Sequence, residues 1–383
     1  MLRDAITVNL RLDGLVVLAE EELAGRIEVT AQYAQEEAAC PRCQRPTWQV
    51  HEWRRQRKRD AELWGKPVWI VLWKRRFRCR ACRYVFTEDD PVCGRRRRTT
   101  YRLRRQVAKE AQEATVKAVS RWHGVSEGLV QRSWLETYGQ PSPVSKPHVF
   151  LGLDAFCVRR PGVMWTGLWD LQTRKAVAVI SGQRQAEVEK LLERYVQRDQ
   201  VRAVVIDLAE PERQAIHTAL PQAAIVADHF HVIALASQAL LEVRGGRRLR
   251  GNDAWLLHRN VERLSAADGA RLAGILQADA SLASAWRLKE GLRAMYRARG
   301  GDRAAAALAQ WLEDAKASGL APFQRIARTL SKWDKEVLNY WRFPLTNAMV
   351  EGKHNRVKVL KRRAYGYRND RTFSLRILNL IHT

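Results

Sequence analysis

His148-Val-Phe-Leu-Gly-Leu-Asp154-Ala-Phe156 and, further along, Val201-Arg-Ala-Val-Val-Ile-Asp207 decide how the chain is read. Both are largely apolar runs with an aspartate at or near the end. Alternation in Leu151-Gly-Leu-Asp154 puts Leu151 and Leu153 on one face of a strand and Asp154 on the other. An acid among apolar strand residues is costly unless it binds a cation or accepts hydrogen bonds. If the two runs are adjacent central strands, Asp154 and Asp207 come close together. Two like charges that near favour a divalent cation between them.

The surrounding pattern supplies the rest of such a sheet. Residues 163–169 and 175–180 read as strands, 185–198 as an amphipathic helix, and 211–220 as a second helix. Residues 224–227 form a short strand, after which Asp228-His-Phe-His231 opens another helix. Three strands, helix, strand, helix, strand, helix is the order of a ribonuclease-H-like α/β sheet. From 244 to 340 the texture changes to Ala, Leu, Arg and Trp at helical spacing, an all-helical insertion. Phe343-Pro344-Leu345 ends it, and Thr346 can cap a last long helix from 347 to about 361. The catalytic core therefore spans 141–243 and 341–383, and residues 140–147, with three prolines, are a linker.

Glu351 is the candidate third carboxylate. It shares a polar helix face with Asn347, Asn355 and Lys358, and Gly352 beside it permits close approach of backbone or DNA. Taken alone, a helical Glu near Lys and Arg is an ordinary solvated residue. Three acids suit phosphodiester chemistry, in which two shared metal ions activate the attacking oxygen and stabilise the leaving one. Mg²⁺ or Mn²⁺ fits an all-carboxylate set, and the chain has no HExxH of a zinc hydrolase.

The N-terminal part has a different chemistry. Cys40-x-x-Cys43 and Cys79-x-x-Cys82 are two knuckles whose four thiolates can close one tetrahedral Zn²⁺ site with no open position. Residues 15–18 and 26–30 suggest a hairpin before the first pair, and 67–72 a strand before the second, so 1–95 is a β-rich zinc module. Basic runs lie beside it: Arg54, Arg55, Arg57, Lys58 and Arg59, then Arg95–Arg98. Residues 103–114, 116–123 and 127–138 read as three helices, with Gly124 as a stop and Ser126 as a cap. A helix, a turn with Gly and a second helix make 96–140 a helix-turn-helix, whose Gln131, Arg132 and Ser133 are placed to meet a major groove.

Whole-chain numbers point the same way. The 383 residues carry 67 Lys and Arg against 41 Asp and Glu, a formal net charge of +26. A globular chain so basic implies a polyanionic partner, and DNA is the leading one. No apolar run approaches twenty residues and no signal peptide is evident, so a cytoplasmic protein with no membrane partner is expected.

The stretch Asn347-Ala-Met-Val-Glu351-Gly-Lys-His-Asn355-Arg-Val-Lys358, continuing through Lys361-Arg-Arg-Ala-Tyr365-Gly-Tyr367-Arg368-Asn369, resembles the C-terminal signature of bacterial insertion-sequence transposases of the L-three (ISL-three) family. Val205-Ile-Asp207-Leu and Ala227-Asp228-His-Phe-His231-Val-Ile are similar to the same family. The resemblance implies a DDE transposase acting at terminal inverted repeats, with Asp154, Asp207 and Glu351 as metal ligands. Asp228 also follows a strand and competes for the second position. In related transposases the aspartate after the fourth strand is catalytic, which favours Asp207. Asp228 and His231 then resemble an accessory Asp/Cys-x-x-His signature. Lys353, Arg356, Lys358, Lys361, Arg362, Arg363 and Arg368 follow Glu351 without an intervening acid and are expected on phosphates. Trp255, in the insertion, is a candidate to stack on an unpaired base, with helix packing as its plainer role. Joining two element ends implies a homodimer or larger assembly. Two rivals stay open: a non-catalytic DNA-binding regulator, and a nuclease that cuts without strand transfer.

Overall fold

The computed structural model describes residues 14–139, 148–159, 162–245, 253–364, 367 and 369–380. The linker read at 140–147, and Tyr365 and Arg368 of the basic stretch, lie outside them. The chain divides into two compact units, Met1–Ser142 and Pro143–Thr383.

In the first unit β1 (Leu15–Leu23) and β2 (Arg26–Tyr33) form the expected hairpin. Ile27, Val29, Ala31 and Tyr33 alternate inward along β2, the period of a strand with one buried face. A small ribbon of β3 (Ala38–Ala39) and β4 (Pro46–Thr47) frames the first cysteine pair. Then β5 (Val50–Leu63) and β6 (Lys66–Arg78) make a long antiparallel hairpin. Its two-residue turn, Trp64-Gly65, has φ of +51° and +73°. Positive φ at both central residues gives the turn whose twist matches the strands. The short β7 (Val85–Thr87) pairs with β6, and the sheet order is β1-β2-β6-β5. The basic run 54–59, read from sequence only as a charged patch, is part of β5.

Helices α1 (Tyr101–Glu113), α2 (Val116–His123) and α3 (Glu127–Tyr138) follow. Their caps explain their starts: Thr100, Thr115 and Ser126 accept from the backbone N–H of Leu103, Ala118 and Leu129. Gly124 ends α2 in the left-handed region, at φ +57°. Ser133, expected on the groove-facing side, is buried beside Trp134. Gln131 and Arg132 are exposed.

The second unit is built on β8 (Phe150–Arg159), β9 (Val163–Asp170), β10 (Lys175–Ser181), β11 (Ala203–Ile206) and β12 (Ala224–Ala227), in the order β10-β9-β8-β11-β12. The first three are antiparallel neighbours, and β11 runs parallel to β8 and β12. This is the mixed, ribonuclease-H-like sheet expected from the sequence. Leu151, Leu153 and Leu168 face α4 (Gln185–Tyr195) and α5 (Glu210–Ala219) in one core. Phe156, Trp165 and Trp169 face α13 (Ala348–Arg363) and α14 (Asp370–Leu378) in another. Helix α6 (His229–Arg244) leads from β12 into α7 (Asp253–Leu256), α8 (Ala266–Ala278), α9 (Ala280–Met295), α10 (Gly301–Ala317), α11 (Ala321–Lys332) and α12 (Asp334–Leu338). These helices share the α4–α5 core through Leu292, Trp311, Phe323 and Leu330. Trp255 is half-buried against that core, with the Arg259 guanidinium 4.6 Å from its ring centre. No helix among the described residues is long and apolar enough to cross a membrane.

Candidate functional site

Two clusters of chemistry-bearing side chains stand out, one in each unit. In the first, Cys40, Cys43, Cys79 and Cys82 bring their sulfurs within 4.8 Å of one another. Cys40 and Cys82 are 3.6 Å apart, Cys43 and Cys79 3.5 Å. The edge of a tetrahedron with Zn–S bonds of about 2.3 Å is about 3.8 Å, so the spacing suits one zinc ion. The two knuckles are local copies of each other. Gln44 N–H bonds the Cys40 carbonyl at 2.8 Å, and Arg83 N–H bonds that of Cys79 at 2.9 Å. Gln44 and Arg83, one past each pair, both take positive φ, +58° and +55°. Backbone N–H groups of Cys82 and Ala81 draw the Cys79 thiol down to about 6, favouring thiolate. None of the four is disulfide-bonded.

The second cluster lies at the end of the sheet. In β8 and β11, Val205 is level with Gly152. Continuing that register by two residues sets Asp207, just past the end of β11, opposite Asp154 in β8. In β12, Ala227 is level with Ile206, and Asp228 N–H bonds the Ile206 carbonyl at 2.9 Å. Asp207 and Asp228 thus follow the ends of two adjacent parallel strands, where open α/β sheets hold their ligands, whereas Asp154, expected near a strand end, lies in the middle of the longer β8.

Their surroundings differ. Asp228 is buried at the N-cap position of α6, with no side-chain capping bond to that helix. Burial opposes its ionisation, but hydrogen bonds from His231, Thr346 and the Asn347 backbone outweigh that and hold it below the usual range. His231 Nδ1 bonds Asp228 Oδ2 at 3.0 Å and lies 2.9 Å from Asp207 Oδ1. The close carboxylates of Asp207 and Asp228 outweigh burial and push this imidazole up to about 10. Asp207, Asp228 and His231 are close enough together to hold one metal ion. Asp207 is less enclosed, and its Oδ1, though near His231, accepts no aligned hydrogen bond. Burial first, then the charges of Asp154 and Asp228 against the pull of His231, leaves its carboxyl raised.

Asp154 meets a residue that sequence reading missed. His354 Nδ1, on α13, is 2.9 Å from Asp154 Oδ2. The ring is buried against Phe156 and Trp169, at 4.6 and 6.0 Å between centres. Helix α13 is anchored here at its start as well. The Asn347 side-chain amide donates to the Leu153 carbonyl at 3.0 Å, and its backbone N–H to Asp228 at 3.3 Å. Gly152 makes this approach possible. A Cβ there would stand 2.7 Å from Asn347 Oδ1 and 3.1 Å from Val350 Cγ2.

Glu351 occupies the turn between those two anchors, four residues after Asn347 and three before His354, so it borders the same seam. It is exposed, and among the described residues its carboxylate pairs with no cation. It is outside the close group of Asp207, Asp228 and His231, as is Asp154. Glu212, on α5, was also missed. It is buried with Oε2 unpartnered, and burial, then the charges of Asp207 and Asp154, pushes it up to about 8.

The expected DNA-contacting cations divide. Arg54 and Arg55 are exposed on β5, and Arg57 is exposed but pairs with Glu28. Lys58 is not on the surface: it is 3% exposed, with its ammonium 3.0 Å from Asp90 and 2.6 Å from the Arg97 carbonyl. It opens the buried run 58–61 of β5, where Asp90 needs a counter-charge. Lys353 is likewise buried, on the packed side of α13. Lys358 and Arg362 are exposed, Arg363 is exposed, and Arg356 and Lys361 are half-buried.

Comparison with known proteins fits these features together. A family model described as a transposase, of the ISL3 type, matches residues 151–377. The zinc-finger of transposase IS204/IS1001/IS1096/IS1165 matches 36–82, and the helix-turn-helix domain of transposase family ISL3 matches 91–132. The chain is 29% identical over 357 residues to the transposase for insertion sequence element IS1001 of Bordetella parapertussis, spanning 88% of this chain and 87% of that protein. It is 25% identical over 202 residues to the transposase for IS1557 of Mycobacterium tuberculosis, covering 44% of this chain and 45% of that one.

Proposed function

The chain belongs to the ISL3 family of transposases, and from that premise we propose that it cleaves and joins DNA at a site where Asp154, Asp207 and Glu351 hold two Mg²⁺ or Mn²⁺ ions. The observation that carries this reading is the parallel register of β8 and β11, with Val205 level with Gly152, which brings Asp207 just past β11 toward Asp154 in β8, while α13 carries Glu351. The donor set fits a hard divalent cation. It is all carboxylate oxygen, Asp207 Oδ1 has no aligned donor, and the Glu351 carboxylate has no cation partner among the described residues. Bound there, the ions would activate a water or 3′-hydroxyl and stabilise the leaving oxygen of an in-line displacement.

The chain's own groups do the positioning. His354 holds Asp154 in place. The His231 ring sits between Asp207 and Asp228 and orients both carboxylates. Asp228, already satisfied by three partners, ties β12 to the start of α13 and serves as the accessory acid. Arg356, Lys358, Lys361, Arg362 and Arg363 extend from the Glu351 end of α13 toward the phosphates of the strand being cut. The zinc module and the helix-turn-helix, with Gln131 and Arg132, recognise the element ends, and two ends call for a dimer or larger assembly. Intact carboxylates favour this reading over a non-catalytic regulator.

A labelled element end incubated with the protein and Mg²⁺ should be nicked to leave a 3′-hydroxyl that a polymerase extends. Nicking that persists without divalent metal, or binding with no nicking, would overturn the assignment.

A further inference from the structure

Between β5 and the α2–α3 turn the first unit holds an open cleft of about 760 Å³. One wall is β5 from Gln56 to Arg59, the opposite wall is Gly124–Val125–Ser126, and Arg96–Thr99 closes one end. Six of its lining residues are Lys or Arg, and none is Asp or Glu. Most of these cations are already engaged. Lys58 is held by Asp90 and the Arg97 carbonyl, and Arg57 by Glu28. Arg59 is spent on the carbonyls of Asp60, Val68 and His123, and Arg97 pairs with Glu136 at 2.5 Å. Arg96 and Arg98 are different: both are exposed, and among the described residues neither guanidinium pairs with a carboxylate.

Their placement is fixed by backbone. Arg59 N–H bonds the Arg98 carbonyl at 2.8 Å, and Thr100 N–H bonds the Arg59 carbonyl at 3.0 Å, so the segment is stitched to the edge of β5. Arg96 itself sits at φ +59°, a left-handed conformation that disfavours a residue with a Cβ. The chain thus holds two unpaired cations at a rigid position beside the N-terminal end of α3. That helix presents exposed Gln131 and Arg132, and a Cβ on Gly128 would meet the Arg132 guanidinium at 3.2 Å.

We propose that this cleft is a clamp for the DNA backbone, in which Arg96 and Arg98 neutralise two phosphates flanking the groove that α3 enters. The zinc module and the helix-turn-helix then grip one stretch of duplex together, because β5 and the α2–α3 turn are the two walls of one site. The inference rests on the reading of this unit as the DNA-recognition part of the protein. Backbone clamping is indifferent to base sequence, whereas Gln131 and Arg132 carry the preference for the element end.

The test is the salt dependence of binding by the full-length, zinc-loaded protein, measured on an element-end duplex and on a scrambled duplex. Each neutralised phosphate steepens the slope of log K against log salt by about 0.9. Arg96→Gln with Arg98→Gln should weaken binding to both duplexes alike and flatten the slope by about 2. Zinc content and Tm should stay unchanged. Arg96→Lys with Arg98→Lys should restore most of the slope, which separates charge from folding. Gln131→Ala should instead narrow the difference between the two duplexes and leave the slope alone. A slope unchanged in the double Gln variant would overturn the clamp while leaving the DNA-recognition reading intact. Wild-type protein that binds neither duplex would overturn that reading and the clamp with it.

Discussion

Asp207 and Asp228 leave adjacent strands at the same height, yet their surroundings separate them. Asp228 is buried and fully bonded; Asp207 keeps an oxygen without an aligned donor. Asp207→Asn should therefore lower metal-dependent cleavage by at least about a hundredfold with little change in Tm. Asp228→Asn should act largely through stability, because it loosens the start of α13, and a melting curve separates the two effects. His231 titrates at about 10 in the folded chain, above its ordinary value. It therefore adds stability that is full below about 6.5 and is lost as pH rises through about 10. NMR of the ring should find imidazolium still at pH 8. Glu212 gives a second pH test. Its folded value of about 8 lies above the ordinary value, so the folded state binds the extra proton. Stability falls as pH rises from about 4.3 to about 8. Metal-free Glu212→Gln should match the wild type near pH 5 and exceed it by about 1–3 kcal/mol at pH 9, read by urea titration. Equal stability at both ends of that range would remove Glu212 from the buried, neutral state. Asp154 and the four cysteines were legible because their own neighbours mark them. His354 and Glu212 were not, since what makes them notable is contributed by β8 and β11, far away in the chain.

At the scale of elements, the close approach of α13 to β8 turns on Gly152. A methyl there meets the Asn347 side-chain oxygen at 2.7 Å and Val350 Cγ2 at 3.1 Å, so these side chains or the helix that carries them must shift. Gly152→Ala should cost about 1–3 kcal/mol, the usual price of overpacking. It should also lower cleavage, because Glu351 and His354 ride on the same helix. A variant with wild-type Tm and wild-type activity would show that α13 does not need this contact. Helix limits in the first unit were readable from Ser126 and Gly124, since capping is a local matter. The three antiparallel strands and the parallel pair were readable from apolar runs. Besides the short β3, β4 and β7, two longer elements escaped. β5 carries so many Arg and Lys that no apolar alternation marks it, and its strand character comes from pairing with β6. α14 follows a basic stretch that drew the eye to charge, although Asn369 caps it by accepting from Thr372 N–H at 3.0 Å.

For the whole molecule, a net charge of +26 makes sense on a protein that works along DNA. The two units have separate cores, and they should respond separately to loss of zinc. Chelation, or Cys40→Ser, should abolish end binding and unfold the knuckle region. The α/β unit should keep its helical circular dichroism. A single cooperative loss of both signals would contradict that independence. The most direct test of the three-carboxylate site is a joining reaction with full-length protein, Mg²⁺, a labelled element end and a target plasmid. Wild type should yield joined product, while Asp154→Asn, Asp207→Asn and Glu351→Gln should each bind the end and join nothing. Joining by any one of these variants at the wild-type rate, or cut ends from the wild type with no joined product, would contradict it.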